Sequence, residues 1–316
     1  MKLFRLSIYR FFRPDFFAHH KKTTDPFKVM VMSDLHFSYQ VSDRKLRAIV
    51  KQVKTLSPSY VLMPGDLIDT LDMVDKTSER QRLLKFLRQL GQHATVILGI
   101  GNHDMYRKPK GNQIGWQYET TSKLFDEIRA LDNVFLLDNQ VYEDENIYCL
   151  GYTQSPDYYR ADSGIVEDLP TILSELDSLP EQYLNHLPKQ KLKFALVHSP
   201  VYLNHPEVKY RLREFDYFIS GHMHNGVMPP VLDELINSSR GLISPTKKWA
   251  PENSRNTLKS YADKLLVVGA LTTFHECIKP LNKLNVFFPS YFALMEFTNK
   301  KTYFRKPYIK HTYINW

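Results

Sequence analysis

The sequence has little cysteine and no long apolar run, and both absences narrow the class of protein. Only two cysteines occur among 316 residues, Cys149 and Cys277, which is too few for a disulfide framework. Cysteines among apolar or small neighbours are more often buried than reactive. No stretch reaches the roughly 18 apolar residues of a transmembrane helix, and no cleavage site of small residues follows an apolar run. We therefore expect a cytoplasmic protein without a cleaved signal.

Acidic residues are also fewer than basic ones. Asp plus Glu number 34 against 42 Lys plus Arg, which gives a formal net charge of +8. This excess favours anionic partners, such as phosphorylated metabolites, nucleic acid or an acidic membrane, without choosing among them. Because 43% of the residues are hydrophobic, the chain can bury a large core. We expect one large α/β domain over residues 26–316, preceded by an arm.

The arm, residues 1–25, is basic and aromatic. Aromatic and aliphatic residues recur within residues 1–22 at helical spacing, and basic residues lie toward the other side of the same projection: Phe4, Ile8, Phe11 and Phe12 against Lys2, Arg5, Arg10 and Arg13. An amphipathic helix on an anionic membrane surface would have this pattern. A helix docked on the protein's own sheet would have it too. Both interpretations stay open at this point.

After Pro26 the sequence alternates between strand and helix patterns. Strands are predicted at 28–32, 60–63 and 95–99, and helices at 43–56 and 78–90. This order implies a parallel sheet covered on both faces. In such sheets the functional site gathers at the carboxyl ends of the strands.

The second half of the chain is less regular. Further strands are predicted at 134–137, 141–142, 147–150, 193–197, 215–219, 264–268, 291–297 and 301–306, and helices at 119–131 and 166–176. Two stretches read as insertions, at about residues 105–118 and 152–191. We find no internal repeat, and no linker divides the chain.

Five polar clusters follow predicted strands. In chain order they are Asp34-Leu-His36, Gly65-Asp66, Gly101-Asn102-His103-Asp104, His198 and Gly221-His222-Met-His224. Carboxylate, imidazole and amide ligands without thiolates suit borderline divalent ions such as Mn²⁺, Zn²⁺ and Fe. In an extended Asp-x-His or His-x-His segment both side chains point to one face. The glycines before Asp66, Asn102 and His222 would allow sharp turns.

Each cluster alone is a weak signal, because isolated histidines and Asp-x-His pairs are common. The other histidines show no comparable context, and we interpret them as ordinary: His19, His20, His93, His186, His205, His275 and His311. The order and placement of the five clusters together make coincidence improbable.

This series of clusters resembles the signature of the calcineurin-like metallophosphoesterase superfamily, over Asp34 to His224. The resemblance implies a double β-sandwich flanked by helices. It also implies a two-metal centre in which Asp34, His36 and His224 hold one ion, Asn102, His198 and His222 hold the other, and Asp66 bridges them. Mn²⁺ is the expected ion, with Fe and Zn²⁺ as alternatives.

The resemblance further implies a hydrolytic mechanism. A hydroxide bridging the two metals would attack phosphorus in line, and His103 would protonate the leaving group. Asp104, or a backbone carbonyl, would orient His103. The substrate is expected to be a small or lipid-linked phosphomonoester, phosphodiester or pyrophosphate.

The sequence departs from some relatives. Asn225-Gly226-Val227 stands where many small bacterial members have Gly-Gly-Gln. Gly65-Asp66-Leu-Ile-Asp69-Thr and Gly-Asn-His-Asp104 differ from the corresponding motifs of protein serine/threonine phosphatases, so phosphoprotein hydrolysis is disfavoured. The overall pattern is closest to membrane-associated bacterial members, which favours a location at the inner face of the membrane.

The two insertions combine cations with aromatic residues, which suits a phosphate with a base or lipid headgroup. Candidate substrate residues are Arg107, Tyr158 and Arg160. Two alternatives remain: a nuclease with the same chemistry, so that nucleic acid is not excluded as a partner, and a non-catalytic scaffold, which the complete ligand set disfavours. No protein partner is predicted.

Overall fold

Two β-sheets form the framework of the protein. The computed structural model describes residues 3–13, 27–108, 117–119, 122–159, 167–229, 232, 240–243, 249–251, 254, 264–274, 281–299 and 308–315. Its strands are β1 Leu3–Phe12, β2 Phe27–Val31, β3 Tyr60–Met63, β4 Thr95–Leu98, β5 Tyr106–Arg107, β6 Gln117–Tyr118, β7 Val134–Leu136, β8 Gln140–Glu143, β9 Ile147–Tyr152, β10 Leu192–Val197, β11 Tyr217–Ser220, β12 Leu265–Val267, β13 Ser290–Thr298 and β14 Tyr308–Asn315.

The order of strands differs between the sheets. The first sheet has seven strands in the order β14-β1-β13-β2-β3-β4-β7, and the second has five in the order β12-β11-β10-β9-β8. Strands β2, β3, β4 and β7 are parallel, as are β9, β10, β11 and β12. The predicted parallel sheet is thus confirmed. A second sheet, which also contains four parallel strands, packs against it.

Helices cover the outer faces. They are α1 Asp43–Leu56, α2 Leu71–Asp75, α3 Thr77–Gly91, α4 Lys123–Arg129, α5 Pro156–Tyr159, α6 Leu169–Ser178 and α7 Pro206–Arg211, with single 3-10 turns at His103–Met105, Glu181–Tyr183, His224–Val227 and Leu281–Val286. The helix predicted at 43–56 is confirmed at both ends. Ser42 accepts a hydrogen bond from the Lys45 backbone N–H at its start, and Ser57 ends it in the left-handed region.

Alternation along the strands divides the apolar residues between two layers. Val29 and Val31 of β2 point into a core between the two sheets, which they share with Phe194 and Ile219 of the second sheet. Met30 lies on the opposite face and belongs to the cluster under the helices. Because both faces of the strands are buried, their sequences read as continuous apolar runs. The expected double β-sandwich flanked by helices is confirmed.

The helical interpretation of the N-terminal arm is wrong for residues 3–12. These residues form β1, which pairs in parallel with β13 and antiparallel with β14. Phe4 and Leu6 lie in the cluster under the helices, whereas Tyr9 lies between the sheets. Burial on both faces removes the polar alternation that marks a half-buried strand, and the spacing of the phenylalanines then imitates a helix.

Strand β1 therefore contributes to stability, and a core substitution in it should show this. Phe4 is fully buried with its ring 4.7 Å from that of Phe292. We expect Phe4→Ala to lower the free energy of unfolding by about 3–5 kcal/mol, as measured by urea denaturation. Arg10→Ala is the control: its half-exposed side chain pairs with Glu296, and its loss should cost about 1 kcal/mol or less. Equal, small effects of both substitutions would contradict the strand's role.

The two insertions contain regular structure, including a helix close to the one predicted at 166–176. The described ends of the first form a short hairpin between β5 and β6, and the second carries α5 and α6. Cys149 is buried between the sheets as predicted. Cys277 and the strand predicted at 301–306 lie outside the described residues. Within the described ranges, every helix is too short or too polar to cross a membrane.

Candidate metal centre

The carboxyl ends of five parallel strands converge on one edge of the sandwich. Each of the five polar clusters follows one of them: β2, β3, β4, β10 and β11. The seven side chains that the sequence indicated as metal ligands are all brought together there, and each is at most 7% exposed. An isolated parallel bridge between Ser33 and Ala270 joins the strand end of β2 to the segment after β12 at this edge.

Four of these side chains form one group. Asp34, His36, Asp66 and His224 can each direct one ligand atom to a common centre. The Nε2 atoms of His36 and His224 are 3.2 Å apart. Asp34 Oδ1 lies 3.4 Å from His224 Nε2, and Asp66 Oδ2 lies 3.6 Å from His36 Nε2. Nitrogen and carboxylate oxygen atoms at these separations could surround a single divalent cation.

A second group shares Asp66. It consists of Asp66, His198 and His222, and Asn102 joins it because its Oδ1 is 3.1 Å from His222 Nδ1. His198 Nε2 lies 3.1 Å from Asp66 Oδ2. Two cation-sized positions with one common carboxylate therefore lie side by side.

The chemistry of these groups suits cations. The ion pairs that Asp34 and Asp66 make with described residues are all with histidines, so no lysine or arginine there neutralises them. Burial disfavours the charged form of His198, yet the nearby Asp66 carboxylate raises its pKa to about 9. Burial likewise opposes ionisation of Asp66, but the charges of His198 and His103 hold its pKa well below the usual value. Positive charge is thus favoured here, as a metal site requires.

The backbone at the site is strained. Five of the seven side chains project from residues in the left-handed region, with φ of 53° at Asp34, 45° at His36, 53° at Asp66, 64° at His222 and 48° at His224. This conformation costs roughly 1–3 kcal/mol for a residue other than glycine, and it persists where surrounding structure imposes it. Such clustering is typical of a functional site.

The glycines before the ligands act differently from one another. Gly65, at φ 140°, adopts a conformation that favours glycine, as expected for a sharp turn. Gly101 and Gly221 are required instead by close approach. A Cβ on Gly101 would lie 2.3 Å from Asp66 Oδ1, and one on Gly221 would lie 2.4 Å from Asp34 Oδ2. The turn interpretation is therefore wrong for these two positions.

This close approach makes Gly101→Ala informative. The added methyl group must push the Asp66 carboxylate aside, which we expect to cost about 1–3 kcal/mol of stability and to weaken cation binding. Gly91→Ala at the end of α3 is the control, since its methyl would meet the carbonyl groups of Asp132 and Asn133 and the Val134 side chain at 3.0–3.6 Å, none of them in the metal centre. Calorimetric titration with Mn²⁺ compares the cation affinities of the Gly101→Ala and Gly91→Ala variants. Unchanged Mn²⁺ binding by Gly101→Ala would contradict the tight contact with Asp66.

His103 lies beside the two groups without belonging to either. Its ring is 4.6 Å from that of His36, edge to face, and its Nδ1 is 2.8 Å from the backbone carbonyl of Asp69. A proton on Nδ1 therefore donates to that carbonyl. Of the two orienting groups predicted for His103, the carbonyl is the one in contact.

Asp104 does not orient His103. Its carboxylate accepts hydrogen bonds from the backbone N–H groups of Gly101 and Ile68, at 2.9 and 3.0 Å. Burial, with a contribution from the Asp66 charge, raises the pKa of Asp104 to about 7. The residue joins the loops after β3 and β4 to each other, and a catalytic role for it stays a prediction.

Two of the three candidate substrate residues make contacts within the fold. Tyr158 is fully buried, and its hydroxyl donates to the Val201 carbonyl at 3.2 Å. The guanidinium of Arg107 pairs with Asp75 at 2.7 Å and Glu119 at 2.5 Å, so its donors are taken by carboxylates. Their role toward a substrate stays a prediction. Arg160 lies outside the described residues.

Sequence reasoning missed three side chains near the site. Asp69 places Oδ1 3.8 Å from His36 Nδ1, Tyr106 packs its ring 5.1 Å from that of His103, and Glu167 lies 3.5 Å from His222. Asp69 and Tyr106 stand within three residues of a cluster residue, which was the available signal. Glu167 comes from the second insertion, where nothing in the sequence marked it.

Comparison with known proteins agrees with the motif pattern. A family model described as calcineurin-like phosphoesterase matches residues 27–226. A relative, an uncharacterized metallophosphoesterase of Campylobacter jejuni, is 23% identical over 206 residues, which are 65% of this chain and 46% of the relative. The chain therefore spans less than half of that relative's length.

Two solved structures are also similar. A dimetal phosphatase from Danio rerio matches with a TM-score of 0.40 and 14% identity, over 78% of this chain and 88% of that one. A nuclease from Pseudomonas putida matches with a TM-score of 0.28 and 14% identity, over 62% and 61% of the two chains.

Proposed function

The chain belongs to the calcineurin-like phosphoesterase family, and on that premise we propose that it is a metal-dependent hydrolase of phosphoesters. The observation that carries the proposal is the pair of cation-sized groups that share Asp66. The first ion would be held by Asp34, His36 and His224, and the second by Asn102, His198 and His222. Asp66 would bind both ions. Since nitrogen and oxygen ligands occur without thiolate, we propose Mn²⁺, with Fe and Zn²⁺ as alternatives.

The proposed reaction is an in-line displacement at phosphorus. Two bound divalent ions would supply a water of lowered pKa and neutralise charge on the phosphoryl oxygens. His103 would protonate the departing oxygen through Nε2, since the Asp69 carbonyl holds the proton on Nδ1. The contact between the rings of His36 and His103 would keep this acid beside the first group.

The substrate is proposed to be a small or lipid-linked phosphomonoester, phosphodiester or pyrophosphate. A screen of such compounds, including cyclic nucleotides, nucleotide sugars, lipid pyrophosphates and single-stranded DNA, should be run with Mn²⁺, Fe²⁺ and Zn²⁺ after metal analysis of the purified protein. Hydrolysis of at least one ester in a metal-dependent manner supports the proposal. If the protein binds two ions but cleaves none of the compounds tested, the scaffold interpretation is favoured. Cleavage of DNA alone would favour the nuclease.

We also propose peripheral contact with the cytoplasmic face of an anionic membrane. Since β1 buries Phe4 and Leu6, the contact would fall to residues 14–22, in whose sequence Phe16 and Phe17 are followed by Lys21 and Lys22. Co-sedimentation with vesicles of anionic lipid compares the full chain with a Phe16→Ser, Phe17→Ser variant. Equal pelleting of the two would remove the membrane proposal.

A further inference from the structure

Glu167 lies against one histidine of the second group. Its carboxylate is buried, and Oε1 is 3.5 Å from Nε2 of His222. The ring of Tyr159 flanks the same imidazole at 5.7 Å. A separation of 3.5 Å exceeds a hydrogen bond, but a side-chain shift of about 0.5 Å brings the pair within bonding distance.

The other ring nitrogen of His222 points to the cation position. Its Nδ1 is 3.1 Å from Asn102 Oδ1, on the side of Asp66 and His198. An imidazole that binds a cation through one nitrogen must be neutral, with its proton on the other. With a cation on Nδ1, the proton of His222 would lie on Nε2, which faces the Glu167 carboxylate.

We infer that Glu167 is a positioning residue of the second ion site: it accepts the Nε2 proton of His222 and so directs the Nδ1 lone pair at the ion. This inference rests on the proposed function. A carboxylate behind a histidine fixes the tautomer and the ring orientation, and it makes the imidazole a stronger ligand. Its negative charge also favours the bound cation directly.

The neighbouring histidines are held in another way. Nδ1 of His224 lies 2.6 Å from the Thr273 carbonyl, and Nδ1 of His103 lies 2.8 Å from the Asp69 carbonyl. Both partners are neutral backbone groups. The carboxylate near the first group is that of Asp69, 3.8 Å from Nδ1 of His36, whereas Glu167 faces His222 of the second group. Glu167 should therefore strengthen the second site more than the first.

The test is the affinity of each ion rather than the rate of hydrolysis. Wild-type protein, stripped of metal and titrated with Mn²⁺ in a calorimeter, should bind two ions. Glu167→Met removes both the acceptor and the charge, and we expect about 10- to 100-fold weaker binding of one ion with the other unchanged. Glu167→Gln keeps an acceptor oxygen at nearly constant volume, so its loss should be smaller than that of the methionine variant.

Glu175→Gln is the matched control. Glu175 comes from the same insertion but accepts hydrogen bonds from the Tyr152 hydroxyl and the Ser155 backbone, away from the histidines. The Glu175→Gln variant should bind both ions with wild-type affinity. Circular dichroism verifies the fold of all variants. A Glu167→Met loss shared by both ions, or equal to that of Glu175→Gln, overturns the inference.

Two further outcomes distinguish failure of this inference from failure of the proposed metal centre. If both Glu167 variants bind two ions with wild-type affinity, the positioning role is wrong and the proposed metal centre stands. If the wild-type chain binds fewer than two ions, the proposed centre fails and the inference fails with it.

Discussion

His103→Ala should keep two bound ions but lower kcat by about 10²- to 10⁴-fold on a substrate with an alkoxide leaving group. The reason is that a poor leaving group needs a proton as the ester bond breaks, whereas the ligands of both ion positions remain in place. The loss of kcat should be far smaller with a p-nitrophenyl ester, because its leaving group, p-nitrophenolate, departs without protonation. Steady-state kinetics with the two kinds of ester measures the difference.

The control for this experiment is His93→Ala, which changes an exposed histidine at the end of α3. It should leave both rates at the wild-type value. Hydrolysis of an alkyl phosphodiester by His103→Ala at the wild-type rate would show that His103 is not the general acid. A loss of bound metal in His103→Ala would instead assign it to the ligand set.

Asp66→Asn is expected to remove binding of both ions and, with it, all measurable hydrolysis. Asp66 is the carboxylate common to the two groups, and the substitution preserves its volume while removing the charge that attracts the cations. In the wild type, Mn²⁺ at 100 times its dissociation constant should stabilise the fold by about 2.7 kcal/mol per site. The variant should show no rise in Tm when Mn²⁺ is added, as followed by calorimetry.

Asp126→Asn serves as the comparison, because this exposed carboxylate only pairs with Arg129 on α4. Its Mn²⁺-dependent rise in Tm should match that of the wild type. Asp66→Asn protein that still contains two ions by elemental analysis would refute the shared role of Asp66.

Local patterns predicted the elements that carry the site. The helix at 43–56 and the strand at 60–63 have the bounds expected, because a helical apolar face and a short apolar run are properties of neighbouring residues. Since parallel strands end at one edge, the clusters after them had to meet there. The seven side chains were therefore predictable as a set.

What the sequence did not reveal depends on distant or backbone contacts. Strand β1 was misassigned because its partners, β13 and β14, lie more than two hundred residues away along the chain. The carbonyl that orients His103 belongs to Asp69 and leaves no mark in the residue types. The burial of Tyr158 in a short helix and the approach of Glu167 from an irregular insertion leave no such mark either.

The pairing of β1 also dictates when the first sheet can be completed during synthesis. Its hydrogen-bonding partners span Ser290–Thr298 and Tyr308–Asn315. At about 5–20 residues per second a ribosome takes roughly 15–60 s to make the intervening chain. Throughout that interval Phe4, Leu6 and Tyr9 lack their native neighbours, and the nascent sheet keeps an open edge at β2. Chaperone binding or aggregation should therefore be concentrated in chains stalled before residue 290.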